Sequence, residues 1–136
     1  MKTVHDVEAY LLRMGQPFEA YEDGRTFVLR EPATGHPVAV HVSGGQVIIR
    51  TKVLDLATID SHEVRDLVFS ELLRLNAADT LQAMYGVSDD SVLLSCVLRL
   101  SHLDYEELQG ALDDVSLSLS EHVPRLRTLS LSRKDA

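Results

Sequence analysis

The sequence predicts an α+β domain, an antiparallel sheet with helices in the order α-β-β-β(-β)-α-β-β-α. Three observations predict it. Apolar residues switch along the chain between the helical period of about 3.6 and the strand period of two. Turn-forming residues at Asp23-Gly24 and Ser43-Gly44-Gly45 separate short β-branched runs, the punctuation of hairpins. The strands come as a group of three or four and then a pair, which makes neighbours antiparallel and leaves the helices between groups.

The first helix runs from Thr3 to Met14. Thr3 caps it, Asp6 sits at the third helical position, and Gly15 stops it. Val4, Val7, Leu11 and Met14 form one stripe on an otherwise polar rod, so this helix docks on a sheet. Phe18–Glu22 and Arg25–Arg30 then flank Asp23-Gly24 as a hairpin. Pro32, Gly35 and Pro37 punctuate a looser connection. Val38–Val42 and Val47–Leu54 follow as strands around the glycine turn. Gly44-Gly45 lies between two strands and not before a helix, so it is a turn and not an anion-binding loop.

Asp60–Asn76 is the organising helix. Asp60 can cap it, with Glu63 at the capping-box position. Val64, Leu67, Val68, Leu72 and Leu75 make one broad apolar face, and Phe69 and Leu73 a narrower stripe roughly opposite. A helix apolar on two sides packs against two things. Glu71 falls inside the broad face, at its rim or paired with Arg74 three residues on, because an unpaired carboxylate buried there would be costly.

Leu81–Val87 and Ser91–Leu100 are the last strands, joined by Ser88-Asp89-Asp90. In the second, Val92, Leu94, Cys96, Leu98 and Leu100 share one face, and Leu93, Ser95, Val97 and Arg99 the other. The sheet is thus covered fully on one side and partly on the other. Asp104 caps the final helix, with Glu107 in the box position; Leu108, Ala111, Leu112, Val115 and Leu119 form its inner arc. Its outer side reads as Glu106, Gln109, Asp113, Asp114, Ser116, Ser118 and Ser120, a solvated surface. Ser116–Ser120 also alternates as a strand would. Pro124 disturbs or ends the helix. The domain is therefore 1–123, and 124–136 is a basic, Ser-rich, flexible tail carrying Arg125, Arg127, Arg133 and Lys134.

The 136 residues suffice for one domain with a real core. A formal charge of −8 disfavours nonspecific binding to nucleic acid or an anionic membrane. The single cysteine excludes an intrachain disulfide, and no apolar run approaches the roughly 20 residues of a membrane span. The expected location is the cytoplasm.

Reaction chemistry leaves no mark. The six histidines are scattered, with no HxxxH or HExxH pair, so no metal ligand set is expected; a site assembled by folding from His36, His41 and a carboxylate is the alternative. Cys96 lies on the apolar face of a strand, the setting of a structural thiol and not a nucleophile. No GxSxG, P-loop or GxGxxG is present. Asp89-Asp90 and Asp113-Asp114 are adjacent carboxylates, which do not face each other on a helix. Catalytic residues, metal and cofactor are all expected to be absent. The protein is expected not to be an enzyme.

The element order, in an acidic chain of this length, resembles the type III secretion chaperone-like fold shared by CesT-type chaperones and YbjN-type proteins, the latter labelled sensory transduction regulators. The local likeness is nearer to the YbjN-type branch. It lies in Leu72-Leu73-Arg74-Leu75-Asn76 and in Ser91–Leu100 leading to Leu103-Asp104-Tyr105-Glu106-Glu107-Leu108. The resemblance implies a small non-enzymatic protein, usually a homodimer, joined through the middle helix and the strands after it, that binds an extended segment of a client. Phe69, Leu73, Leu93 and Val97 are then the expected dimer or partner contacts. Two other classes remain open: an enzyme or small-ligand protein whose site assembles only in the fold, and an acidic inhibitor or immunity-type protein masking a basic partner.

Overall fold

Nine elements of regular structure form where the periods place them. A computed structural model describes residues 2–131. The elements are α1 (Val4–Met14), β1 (Phe18–Ala20), β2 (Thr26–Arg30), β3 (Pro37–Ser43), β4 (Gln46–Asp55), α2 (His62–Ala78), β5 (Met84–Ser88), β6 (Ser91–Arg99) and α3 (Tyr105–Ser130). A 3-10 turn, Leu56–Thr58, joins β4 to α2. Four strands, not three, precede the middle helix.

Local chemistry sets the boundaries. The Asp6 carboxylate accepts the Thr3 N–H at 2.7 Å, and Gly15 ends α1 at φ 74°, a left-handed conformation that costs glycine little. At the first hairpin, Asp23 accepts the N–H groups of Arg25 (2.8 Å) and Thr26 (3.0 Å), closing the turn over Gly24 at φ 68°. The α2 cap is Ser61, whose hydroxyl accepts the Val64 N–H at 3.3 Å; Asp60, the expected cap, lies one residue outside. The chain reaches α2 from a 3-10 turn, and that entry moves the helix start by a residue.

The six strands form one antiparallel sheet in the order β1-β2-β3-β4-β6-β5. β1 to β4 form a meander. The chain then crosses by α2 and returns as a β5–β6 hairpin, with β6 against β4 and β5 at the far edge. Phe27, Leu29, Val38, Val40, Val42, Val47, Ile49, Val92, Leu94 and Cys96 project from one face into the core. On that side α3 lies against β4 and β6, α2 against β5 and α3, and α1 against α3. Val7 and Leu11 of α1, Val64, Val68, Leu72 and Leu75 of α2, and Leu108, Ala111, Val115 and Leu119 of α3 complete the core. Each such aliphatic side chain removed from water stabilises the fold by roughly 2 kcal/mol, so truncating Leu94 or Leu119 to alanine is expected to cost about 2–5 kcal/mol.

One expectation is corrected in α3. Pro124 does not end the helix, which runs on to Ser130 and buries Val123 and Leu126 around it. Pro124 itself faces solvent, so its ring is accommodated on the outer side and packing holds the last turns. Ser116–Ser120 is helical throughout. Arg133 and Lys134, at the end of the expected basic tail, lie outside the described residues.

Candidate partner-binding surfaces

Alternation along each strand leaves the second sheet face without a helix. The register stacks its outward residues in rows. One row crosses all six strands: Glu19, Val28, Ala39, Arg50, Ser95 and Met84. A second holds Thr26, His41, Ile48 and Val97. Lys52, Leu93 and Gly86 stand in a third, and Gln46 pairs with Arg99 in a fourth. Val97 is 54% exposed and Met84 64%. Arg50 donates from Nε to Ser95 Oγ at 3.2 Å, which fixes the guanidinium across the strands.

The expected contact residues fall on two separate surfaces. Leu93 and Val97 belong to this open sheet face. Phe69 and Leu73 belong to α2, on the helical side. Phe69 is half-buried against the core; Leu73 is 70% exposed. Leu67, expected on the buried face of α2, is itself exposed. The apolar side chains left uncovered on α2 are therefore Leu67 and Leu73, about 120° apart round the helix, with Phe69 half inside.

The two sheet edges differ in chemistry. At β5, the Asn76 side chain accepts the Tyr85 N–H at 2.7 Å and donates to the Tyr85 carbonyl at 3.0 Å, as an adjacent strand would. One oxygen of Asp114 accepts the N–H groups of Gln82 and Ala83, both at 2.9 Å. Asn76 of α2 thus covers the middle of the β5 edge, and Asp114 of α3 holds the loop that leads into it, while Met84 and Val87 stay exposed. β1 has β2 on one side and nothing beyond it in the sheet. A cleft of about 530 Å³ opens beside it, lined by Phe18, Glu19, Tyr21, Val28 and Arg30 among others.

Asp114 corrects a sequence reading. Taken as part of a solvated side with Ser118, it is only 7% exposed, and Ser118 is buried too. The loop before β5 folds over that side of α3 and presents its N–H donors there. No spacing rule links a helical aspartate to backbone groups 31 and 32 residues earlier. Glu71 is buried rather than at a rim. It pairs with Arg74, and also with Arg125, whose Nη1 donates at 3.1 Å across to α2. The Arg74 hydrogen bond, opposed by burial and aided by Arg125, holds its carboxyl below the usual range.

Buried polar groups elsewhere serve the fold. The Tyr85 hydroxyl and His122 Nδ1 are hydrogen-bonded at 2.8 Å, and His122 Nε2 lies 3.4 Å from Asp79. Cys96 is buried, and burial pushes its thiol up, away from nucleophilic ionisation. His41 Nδ1 meets Thr26 Oγ1 at 2.7 Å, while His36 lies in the loop before β3. Among the described residues, no three His, Cys, Asp or Glu side chains converge to hold a metal. Among them also, no helix is long and apolar enough to cross a membrane.

A helical layer on one face of an antiparallel sheet, with an open apolar-cationic face and one free edge, is the form of a binding protein. The family model described as CesT_Tir_1 matches residues 1–132, and the chain belongs to this CesT/Tir chaperone family, which is non-enzymatic. Solved structures share the fold, among them the following three. In the heterodimeric ExoU–SpcU complex from the type III secretion system of Pseudomonas aeruginosa, the matching chain has a TM-score of 0.66 at 18% identity, over 87% of this chain and 95% of that one. YbjN from E. coli, described as a candidate transcription regulator, gives 0.65 at 12% identity, over 90% and 93%. A chain of the ExsC–ExsE complex gives 0.62 at 15% identity, over 98% and 100%. Chaperone-type and YbjN-type neighbours stand level, so the fold does not single out the YbjN-type branch. No curated protein matches the sequence.

Proposed function

We propose that the protein is a dimeric chaperone-like binding module that takes up an extended segment of a partner protein. The observation that carries this is the asymmetry of the sheet edges. Asn76 satisfies the outer backbone of Tyr85 in the middle of β5, and Asp114 holds the loop that leads into that strand, while among the described residues no strand pairs beyond β1. An extended segment gains main-chain hydrogen bonds by adding beside β1 and seats its side chains in the adjoining cleft. Two neighbours of the same fold, in ExoU–SpcU and ExsC–ExsE, are each in complex with a different protein, which supports the reading. A cytoplasmic location goes with it.

The dimer contact is assigned to α2. Leu73 faces outward beside the half-buried Phe69 on a helix whose other side is already in the core, and the same surface of a second copy is the simplest cover. Leu93 and Val97 are then partner contacts and not dimer contacts. Light scattering is expected to give a dimer mass. Leu73→Asp should shift it towards monomer, and Phe69→Asp should do so with some loss of stability, since Phe69 also touches the core. A wild-type monomer mass at every concentration would remove the dimer assignment. Hydrogen exchange with a bound client should slow at Phe18–Ala20 and stay unchanged at Met84–Ser88; the reverse pattern would move the groove to the other edge.

A further inference from the structure

The open sheet face carries a charge opposite to that of the chain. Its outward positions hold Arg30, Arg50, Lys52 and Arg99 against the carboxylates Glu19 and Asp55, whereas the whole protein stands at −8. The cations surround an apolar centre, Ile48 beside Val97, with Leu93 and Met84 towards β5. From this we infer that the face selects an acidic, amphipathic extended segment, in which carboxylates and aliphatic side chains share one side of the chain. The inference rests on the protein-binding reading above and adds the chemistry of the segment.

The geometry fits that ligand. Arg50 and Lys52 are two apart on β4, about 7 Å along the strand, the spacing of alternate side chains in an extended peptide. Ser95 takes the Nε hydrogen of Arg50, which leaves the two terminal nitrogens of the guanidinium for a carboxylate. Lys52 pairs with Asp55, at 3.6 Å with both side chains about half exposed, a pair of little strength that an incoming carboxylate can replace. The face runs without a break into the β1 cleft through Val28 and Arg30. Nucleic acid fits less well. The outward strand positions hold no Phe, Tyr or Trp on which a base could stack, the imidazole of His41 is tied to Thr26, and Glu19 and Asp55 would repel phosphates. The rest of the chain is acidic on balance and would repel the same segment, so charge favours this face.

The test titrates the full-length protein with fluorescent peptides that repeat Asp-Ser-Val-Ser, or Lys-Ser-Val-Ser, so that charge and valine share one side of the extended chain, and with oligothymidylate. The aspartate peptide is expected to bind, and to weaken as salt rises. The charge-reversed variant Arg50→Glu/Lys52→Glu should bind it at least about tenfold more weakly and gain affinity for the lysine peptide. Arg50→Gln/Lys52→Gln should lie between; these side chains are exposed, and an unchanged denaturation midpoint checks their folding. Equal binding of the two peptides, failure of both, or indifference to charge reversal would overturn the inference. So would tighter binding of oligothymidylate, which would make this a nucleic-acid face. A dimer that charge reversal separates, and that the aspartate peptide leaves intact, would make the face a contact between copies and overturn it too. Failure of the dimer reading is separate, because it shows in the wild-type mass without peptide.

Discussion

Arg125, in the last third of α3, donates a hydrogen bond at 3.1 Å to the buried carboxylate of Glu71 on α2. With Arg74 on the other oxygen, it turns what would be a costly buried charge into a clasp between two helices. Arg125→Ala should leave Glu71 with Arg74 and lower stability by about 1 kcal/mol. Arg74→Ala/Arg125→Ala should lower it by about 3 kcal/mol, because the carboxylate is then buried alone. Urea denaturation with an unchanged slope checks both.

The same pair sets an acid limb. The Arg74 hydrogen bond, then Arg125, hold the Glu71 carboxyl below its unfolded value against the opposing effect of burial. A folded pKa below the unfolded one gives stability that is full above the unfolded value, about 4.3 for glutamate, and is lost as pH falls through the folded one. Stability plotted against pH should fall over that window. Glu71→Gln should flatten this fall while lowering stability at neutral pH.

Tyr85 and His122 form a buried hydrogen bond at 2.8 Å between β5 and α3. Tyr85→Phe should cost about 1–2 kcal/mol, the net value of the bond together with an unsatisfied imidazole nitrogen. Burial, with Asp114 and Asp79 nearby, pushes the Tyr85 phenol well up. Its folded pKa lies above the unfolded one, so this stability is full below pH about 10 and is lost as pH rises further. In an alkaline titration followed by phenolate absorbance, the signal of Tyr85, identified by comparison with Tyr85→Phe, should appear only with unfolding.

Asn76 stands in for a missing strand. Asn76→Ala should strip Tyr85 of both its outer partners, cost about 1–3 kcal/mol, and speed amide exchange at Tyr85. It should also promote aggregation, because the β5 edge becomes available for pairing.

Pro124 removes one helix hydrogen bond from α3 while its neighbours Val123 and Leu126 hold the turn in the core. Pro124→Ala restores the donor at an exposed position and should raise the thermal midpoint, by an amount corresponding to about 1–3 kcal/mol. No change would mean that the helix is already bent to suit the ring.

Much of this protein was legible in order along the chain. Periods, caps and turn residues are properties of a few consecutive residues, so α1 with its Thr3 cap and Gly15 stop, the Asp23-Gly24 hairpin, the two faces of β6 and the α+β class all follow from sequence. The buried face of α2 at Val64, Val68, Leu72 and Leu75 could be read too, since a helix repeats every 3.6 residues wherever it sits. Tertiary structure alone decided what each face meets. It put Leu93 and Val97 on one side of the sheet and Phe69 and Leu73 on the other. It brought Arg125 to Glu71, and folded a loop over Asp114 that a helical wheel leaves in water. It also carried the last helix past Pro124, because apolar side chains buried on either side of the ring outweigh one lost hydrogen bond. Those pairings join residues tens of positions apart. Local sequence rules carry no term for such distances; only the register of the sheet and the packing of helices on it supply one.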